Sequence, residues 1–191
     1  SKRFRKHANR NQVMRLVFLF AFFFSLSVQA QEYQTTNGKA LFLSKASLSE
    51  FTGESKTLKG LIDLDKNLVD FFLDLNTLKT GITLRDKHMR ENYLETEKYP
   101  FAEFTGKFET LPKLTGASEK VTVRGKFKIH GVEREIIVTG NLKKLTNGSL
   151  ELKAEWVVAL NDYKIDIPKL VFYELAAEQQ VSIEALLNPK K

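Results

Sequence analysis

The sequence predicts an all-β fold, an eight-stranded antiparallel barrel with one short helix inserted between strands 3 and 4. Three observations predict it. Apolar and polar residues alternate with period two through eight separate runs, the pattern of strands with one buried face. Most of the runs are joined by short connections carrying turn residues, which suits antiparallel neighbours. Between the third and fourth runs, Gly81 to Gly106 interrupts the alternation with one charged helix. Strands that each bury one face are best satisfied by closing the sheet, which leaves no edge exposed, so a barrel follows more naturally than a sandwich.

The first strand begins in the run KALFLSKASLSEF after Gly38, with Ala40, Phe42 and Ser44 on one side and Leu41 and Leu43 on the other. Leu58 to Leu64 is the second, presenting Leu58, Gly60, Ile62 and Leu64, and Asp65-Lys66-Asn67 supplies its turn. In the third, Val69, Phe71, Leu73 and Leu75 alternate with Asp70, Phe72, Asp74 and Asn76. The helix follows. Thr83 and, three residues on, Asp86 form a helix-start signal, because both side chains can accept from orphaned backbone N–H groups. Asp86 with Arg90 and Lys87 with Glu91 lie four apart, where opposite charges contribute a few tenths of a kcal/mol. Pro100 ends the helix, and Phe101 to Phe108 resumes a strand facing Ala102, Phe104, Gly106 and Phe108 inward.

After a loop from Leu111 to Glu119, the fifth strand shows Val121, Val123, Gly125, Phe127 and Ile129 on one face. His130-Gly131 turns it into the sixth, with Ile136, Val138, Gly140 and Leu142. Asn147-Gly148 is the strongest hairpin signal, predicting a type I′ turn with positive φ at both residues. It leads into Leu150, Leu152, Ala154, Trp156, Val158 and Leu160. Asn161 to Gln180 is irregular around Pro168, and Val181, Ile183, Ala185 and Leu187 make the last strand. Gly60, Gly106, Gly125 and Gly140 fall inside apolar stripes, where a missing side chain permits tight coiling or leaves room for something else.

The formal net charge of +7 is concentrated at the start of the chain. Of the 30 Lys and Arg residues, six fall in residues 1–30, which hold no acid, so the rest carries 24 basic against 23 acidic groups. A nearly neutral body argues against a nucleic-acid surface. Basic residues, an apolar run from Leu16 to Leu26 and then Val28-Gln29-Ala30 have the three parts of a secretory signal peptide, expected over 1–30 and cleaved after Ala30. Met14 is a candidate true start, and residues 1–13 are then either upstream of it or an extended basic region of the leader. The apolar run is about half the roughly 20 residues that a membrane span requires, so no integral span is expected in the mature chain. The expected product is a single domain over 31–191, periplasmic or secreted.

Chemistry is sparse. The chain has no cysteine, and His88 and His130, the histidines of the expected mature chain, join no closely spaced cluster of metal-ligand type. No metal, cofactor or catalytic residue is assigned. Asp63, Asp65, Asp70 and Asp74 read as a solvated outer face. Phe42, Phe71, Phe104, Phe108, Phe127 and Trp156 fall on faces assigned to the interior, which in an eight-stranded barrel either fills with its own side chains or keeps one elongated cavity. Both alternatives stay open on composition.

The elements LRDKHM, ENYLETEKYP and FAEFTG within Leu84 to Gly106, and VRGKFKIHGVEREI at Val123 to Ile136, resemble the YceI-like family of secreted bacterial lipid-binding proteins. An opening G-x-x-x-F-x-S-x-A is matched by Gly38, Phe42, Ser44 and Ala46, and a D-Y-x-I-x-x-P element by Asp162, Tyr163, Ile165 and Pro168. The resemblance runs from Tyr33 to about Pro189. It implies a lipocalin-like barrel whose pore holds a long apolar molecule, a polyisoprenoid, an isoprenoid quinone or a fatty amide, with the helix near the pore. By position and facing, the pore residues it implies are Phe42, Ile62, Phe71, Leu73, Met89, Phe104, Phe108, Val123, Phe127, Val138, Trp156 and Val158, with Arg85, His88 and Tyr163 at a polar mouth. True lipocalins match less well, since the Gly-x-Trp of their first strand is absent. The function implied is non-catalytic binding or carriage. The other readings are a self-filled barrel acting in the envelope through a protein partner, and an enzyme acting on a bound isoprenoid. A homodimer stays open.

Overall fold

A computed structural model describes residues 31–167 and 175–190. The expected leader with Met14, and residues 168–174 of the stretch read as irregular, lie outside the described residues. The strands are β1 (Glu32–Lys45), β2 (Glu50–Asp63), β3 (Leu68–Asp74), β4 (Phe101–Phe108), β5 (Glu119–Ile129), β6 (Val132–Lys144), β7 (Leu150–Ala159) and β8 (Glu178–Pro189). Each pairs antiparallel with the next, and β8 returns to β1, so the sheet closes into the expected barrel.

The first run of the sequence divides differently from the reading above. Ala46 N–H donates to Ser49 O (2.8 Å) and closes a turn, so Glu50 and Phe51 open β2 instead of ending β1. The residues flanking that turn are mixed apolar and polar on both sides, and the period-two pattern runs through it without a break. The turn signals divide differently as well. His130 (φ +53°) and Gly131 (φ +72°) both take the left-handed conformation that a two-residue primed turn needs, whereas at 147–148 only Gly148 does. Asn147 instead accepts from Ser149 N–H through its side chain (3.0 Å), inside a wider loop closed by Leu145 N–H to Ser149 O (2.8 Å).

The inserted segment contains a helix, α1 (Thr83–His88), continued by one π-helical turn (Met89–Tyr93). Thr83 and Asp86 do not cap it. Ile82 occupies the cap position without a side-chain bond, and the buried Asp86 carboxylate turns back to accept from Thr80 N–H and Thr80 Oγ1, both at 2.7 Å. A buried carboxylate requires donors, and Thr80 offers two at once. The expected Asp86–Arg90 and Lys87–Glu91 pairs are not among the ion pairs of the described residues, whereas cross-strand pairs such as Lys128–Glu103 (3.1 Å) and Lys126–Glu133 (2.9 Å) lace the outside of the barrel.

The two ends of the barrel differ. At one, Ile62, Leu142, Leu150 and Leu187 are fully buried and close it with side chains. At the other stand the β1–β2 turn, the helical segment, the β5–β6 turn and the connection from β7 to β8. The helical segment is latched there by His130, whose Nε2 meets a Glu95 carboxylate oxygen while Nδ1 meets the Tyr163 carbonyl oxygen at 3.1 Å. Tyr99 packs edge-on to the same imidazole, 4.9 Å between ring centres.

Candidate functional site: a one-ended apolar pore

The inward faces of all eight strands do not meet at the axis. They leave an elongated cavity of about 190 Å³, reaching from Ile62, Val69 and Phe108 near the closed end to Phe51, Arg85, Met89, Tyr93 and Leu94 under the helical roof. A water molecule needs about 10–15 Å³ on the same measure, so the space is more than ten times that minimum. The side chains of its wall are apolar except for Arg85, Tyr93, Gln179 and the indole N–H of Trp156; Glu103 borders the space, but its carboxylate lies on the outside of the barrel. Burial raises the Tyr93 phenol above its ordinary pKa, which keeps it neutral, and the Glu103 carboxylate is engaged by Lys128. The pore thus offers a guest a long apolar surface, with the Arg85 guanidinium as a charge under the roof.

All twelve apolar residues expected in the pore line it: Phe42, Ile62, Phe71, Leu73, Met89, Phe104, Phe108, Val123, Phe127, Val138, Trp156 and Val158. Period two sends them inward from the strands, and the π turn delivers Met89 from above. Of the three polar residues expected at the mouth, only Arg85 reaches the wall, with its guanidinium 4.2 Å from the Phe51 ring centre and Phe51 edge-on to Phe42. His88 is half-buried on the helix and does not line the cavity. Tyr163 is buried behind the wall, its ring edge-on to Phe127 at 5.5 Å, and burial is the main cause that pushes its phenol pKa up. It supports the lining without forming it.

Sequence reading missed Gln179 and Phe51 in the wall. Phe51 was hidden by the undivided first run. Gln179 belongs to the stripe of Val181, Ile183, Ala185 and Leu187 continued two residues back, but it fell within the segment read as irregular. Its Nε2 donates to Ala176 O (2.7 Å) and Ser44 Oγ (3.3 Å), and Ser44 Oγ also accepts from Ala176 N–H (3.0 Å), so a fully buried serine ties the start of β8 to the end of β1.

Of the four aspartates read as a solvated face, Asp63 departs from that reading. It is buried at the β2–β3 turn, accepts from Lys66 N–H (2.9 Å) and pairs with Lys66 Nζ (3.0 Å). The Lys66 backbone N–H, ahead of its ammonium, holds the Asp63 carboxyl below the usual carboxylate range. Asp65, Asp70 and Asp74 accept at the surface from Gln31 N–H, Thr105 Oγ1 and Asn76 N–H. Among the described residues, no three His, Cys, Asp or Glu side chains converge as metal ligands would.

The fold has counterparts in known proteins. The family model of the YceI-like domain matches residues 29–188. The UPF0312 protein plu2095 of Photorhabdus laumondii is 37% identical over 78 residues, a match that spans 40% of this chain and 38% of that relative's length. Among solved structures, a polyisoprenoid binding domain from Saccharophagus degradans implicated in plant cell wall breakdown gives a TM-score of 0.74 at 20% identity, covering 84% of this chain and 99% of that one. BcnA of Burkholderia cenocepacia gives 0.63 at 14% identity, covering 79% and 96%. The Campylobacter jejuni YceI protein gives 0.62 at 20% identity, covering 77% and 90%. These likenesses show a shared fold, and with the match to the family model across 29–188 they show that the chain belongs to the YceI-like domain family.

Proposed function

We propose that this chain binds a long apolar lipid, a polyisoprenoid, an isoprenoid quinone or a fatty amide, in its pore and carries it without catalysing a reaction on it. The observation that carries the reading is the elongated, one-ended cavity with an almost wholly apolar wall. Each methylene moved from water into such a wall contributes about 0.8 kcal/mol, so a tail of several prenyl units binds with no polar recognition at all. Pore depth then selects tail length. The shared fold with a polyisoprenoid binding domain supports an apolar ligand. The unfilled interior disfavours a self-packed barrel that works only through a protein partner. An exported carrier, periplasmic or secreted and beginning at Gln31, fits the leader-like residues 1–30.

Native mass spectrometry of the protein purified from the envelope fraction without detergent, followed by organic extraction, tests this. A bound mass of one prenyl lipid, quinone or fatty amide per chain is the expected result. Consistently empty protein that also refuses added polyprenols overturns it. N-terminal sequencing of the same sample tests the Gln31 start.

A further inference from the structure

Four side-chain polar atoms among the described residues are buried without a hydrogen-bond partner: Arg85 Nε, Arg90 Nη1, Trp156 Nε1 and Gln179 Oε1. Three belong to residues that line the pore, Arg90 being the exception. Buried polar groups are ordinarily satisfied, and leaving one without a partner costs free energy, so orphans gathered in a ligand cavity point to what the ligand supplies.

Trp156 and Gln179 stand together. Across β7 and β8 Trp156 pairs with Val181 and Val158 with Gln179, which makes Trp156 and Gln179 diagonal neighbours on the inner face. Such neighbours have Cα atoms roughly 7–8 Å apart, within reach of one small group between their side chains. The orientation of the Gln179 amide is fixed by its surroundings. Its Nε2 must face Ala176 O, an acceptor, and this leaves Oε1 as the free atom. The indole nitrogen can only donate. One bare donor and one bare acceptor therefore belong to neighbouring residues of the pore wall, Gln179 level with Ser44 and Trp156 one residue layer below, beneath the β1–β2 turn.

From this we infer that the ligand carries an uncharged head group that both accepts from Trp156 Nε1–H and donates to Gln179 Oε1, a hydroxyl being its smallest form, and that it lies head toward the helical roof with its tail toward Ile62. The inference rests on the pore being a lipid site. A quinone carbonyl satisfies Trp156 but leaves Gln179 Oε1 bare. A carboxylate sets its charge against the same oxygen, and reaching the Arg85 guanidinium in the roof is the one contact that would offset this.

Calorimetric titration of the purified protein with geranylgeraniol, its methyl ether and geranylgeranoic acid tests the inference, because the ether keeps the acceptor and loses the donor. The alcohol is expected to bind about tenfold more tightly than the ether, as one buried acceptor left unpaired implies. In Gln179→Met the two bind alike. In Trp156→Phe both weaken by about the same factor while the preference for the alcohol survives. Gln179 also holds Ala176 and Ser44, so its variant costs stability; Trp156→Phe removes an N–H that bonds nothing in the empty barrel and serves as the independent arm. Equal binding of alcohol and ether by the unaltered protein, tighter binding of the acid, or an alcohol preference that persists in Gln179→Met overturns the head-group site and leaves the pore reading standing. Binding of none of the three overturns both.

Discussion

Phe71 packs its ring onto the bare backbone of Gly60, its partner across β2 and β3; a Cβ on Gly60 would come to 2.1 Å from Phe71 Cε1. Phe42 does the same to Gly53 across β1 and β2, again at 2.1 Å. In both places an aromatic wall residue is folded back against the sheet, and the volume it vacates lies at the barrel axis. The glycines are a reason the pore is open.

Gly60→Ala pushes a mobile ring end, so Phe71 swings into the cavity and the fold survives. Uptake of an added polyprenol is expected to fall at least tenfold while the melting temperature changes by only a few degrees. Unchanged uptake would remove Gly60 from the pore-forming set.

Gly125→Ala separates the two roles of glycine. A Cβ there meets Thr105 O at 2.5 Å and Gly106 Cα at 2.7 Å, backbone atoms that cannot step aside. The expected cost is about 1–3 kcal/mol of stability, the usual penalty of overpacking, read from urea unfolding. A variant as stable as the parent would show that β4 and β5 can separate locally.

Val138→Phe fills the cavity from β6. Val138 lines it, and the added ring has open space to enter, so stability is expected to hold while lipid uptake is lost. Retention of a full complement of lipid would place the binding site elsewhere.

His130→Asn tests the latch on the roof. Asn tolerates the positive φ that position 130 adopts but cannot reach both Glu95 and the Tyr163 carbonyl. Loss of about 1–2 kcal/mol and faster amide exchange over residues 95–100 are expected, with the strands unaffected. Equal exchange in the two proteins would mean that Tyr99 packing alone holds the segment.

Asp63 gives the acid response a local component. Its pKa is lowered in the folded state, chiefly by the Lys66 N–H, so its contribution is complete above the ordinary carboxylate value near 3.8 and is lost as pH falls through the lowered folded value. Asp63→Asn should therefore be less stable than the parent at pH 7, with the gap closing as unfolding is followed down to about pH 2–3. A gap of constant size across that range would assign the effect to packing.

Sequence reading succeeded where the physics is local. Phe71, Phe104, Phe127 and Val138 announce their inward face by alternation with Asp70, Glu103, Lys126 and Ile137, a pattern in which all but Ile137 mark the outside by charge. It failed where a choice depends on what lies across space. Asp86 carries the sequence signature of a helix cap, yet burial set it against Thr80. Tyr163 is a polar residue expected at the mouth, but the ring of Phe127 covers it. Gln179 lies on the stripe that Val181 begins and was passed over because neighbouring residues lack a strand pattern.

What the sequence alone determined was the number of strands, the face each turns inward and the place of the helix, because period-two alternation and turn chemistry act between residues near in the chain. Whether eight inward faces fill the barrel or leave a channel was decided only in three dimensions. That outcome depends on the register of all eight strands at once: it puts Phe42 over Gly53 and Phe71 over Gly60, and it sets Trp156 beside Gln179 with the indole N–H and the amide oxygen unpaired.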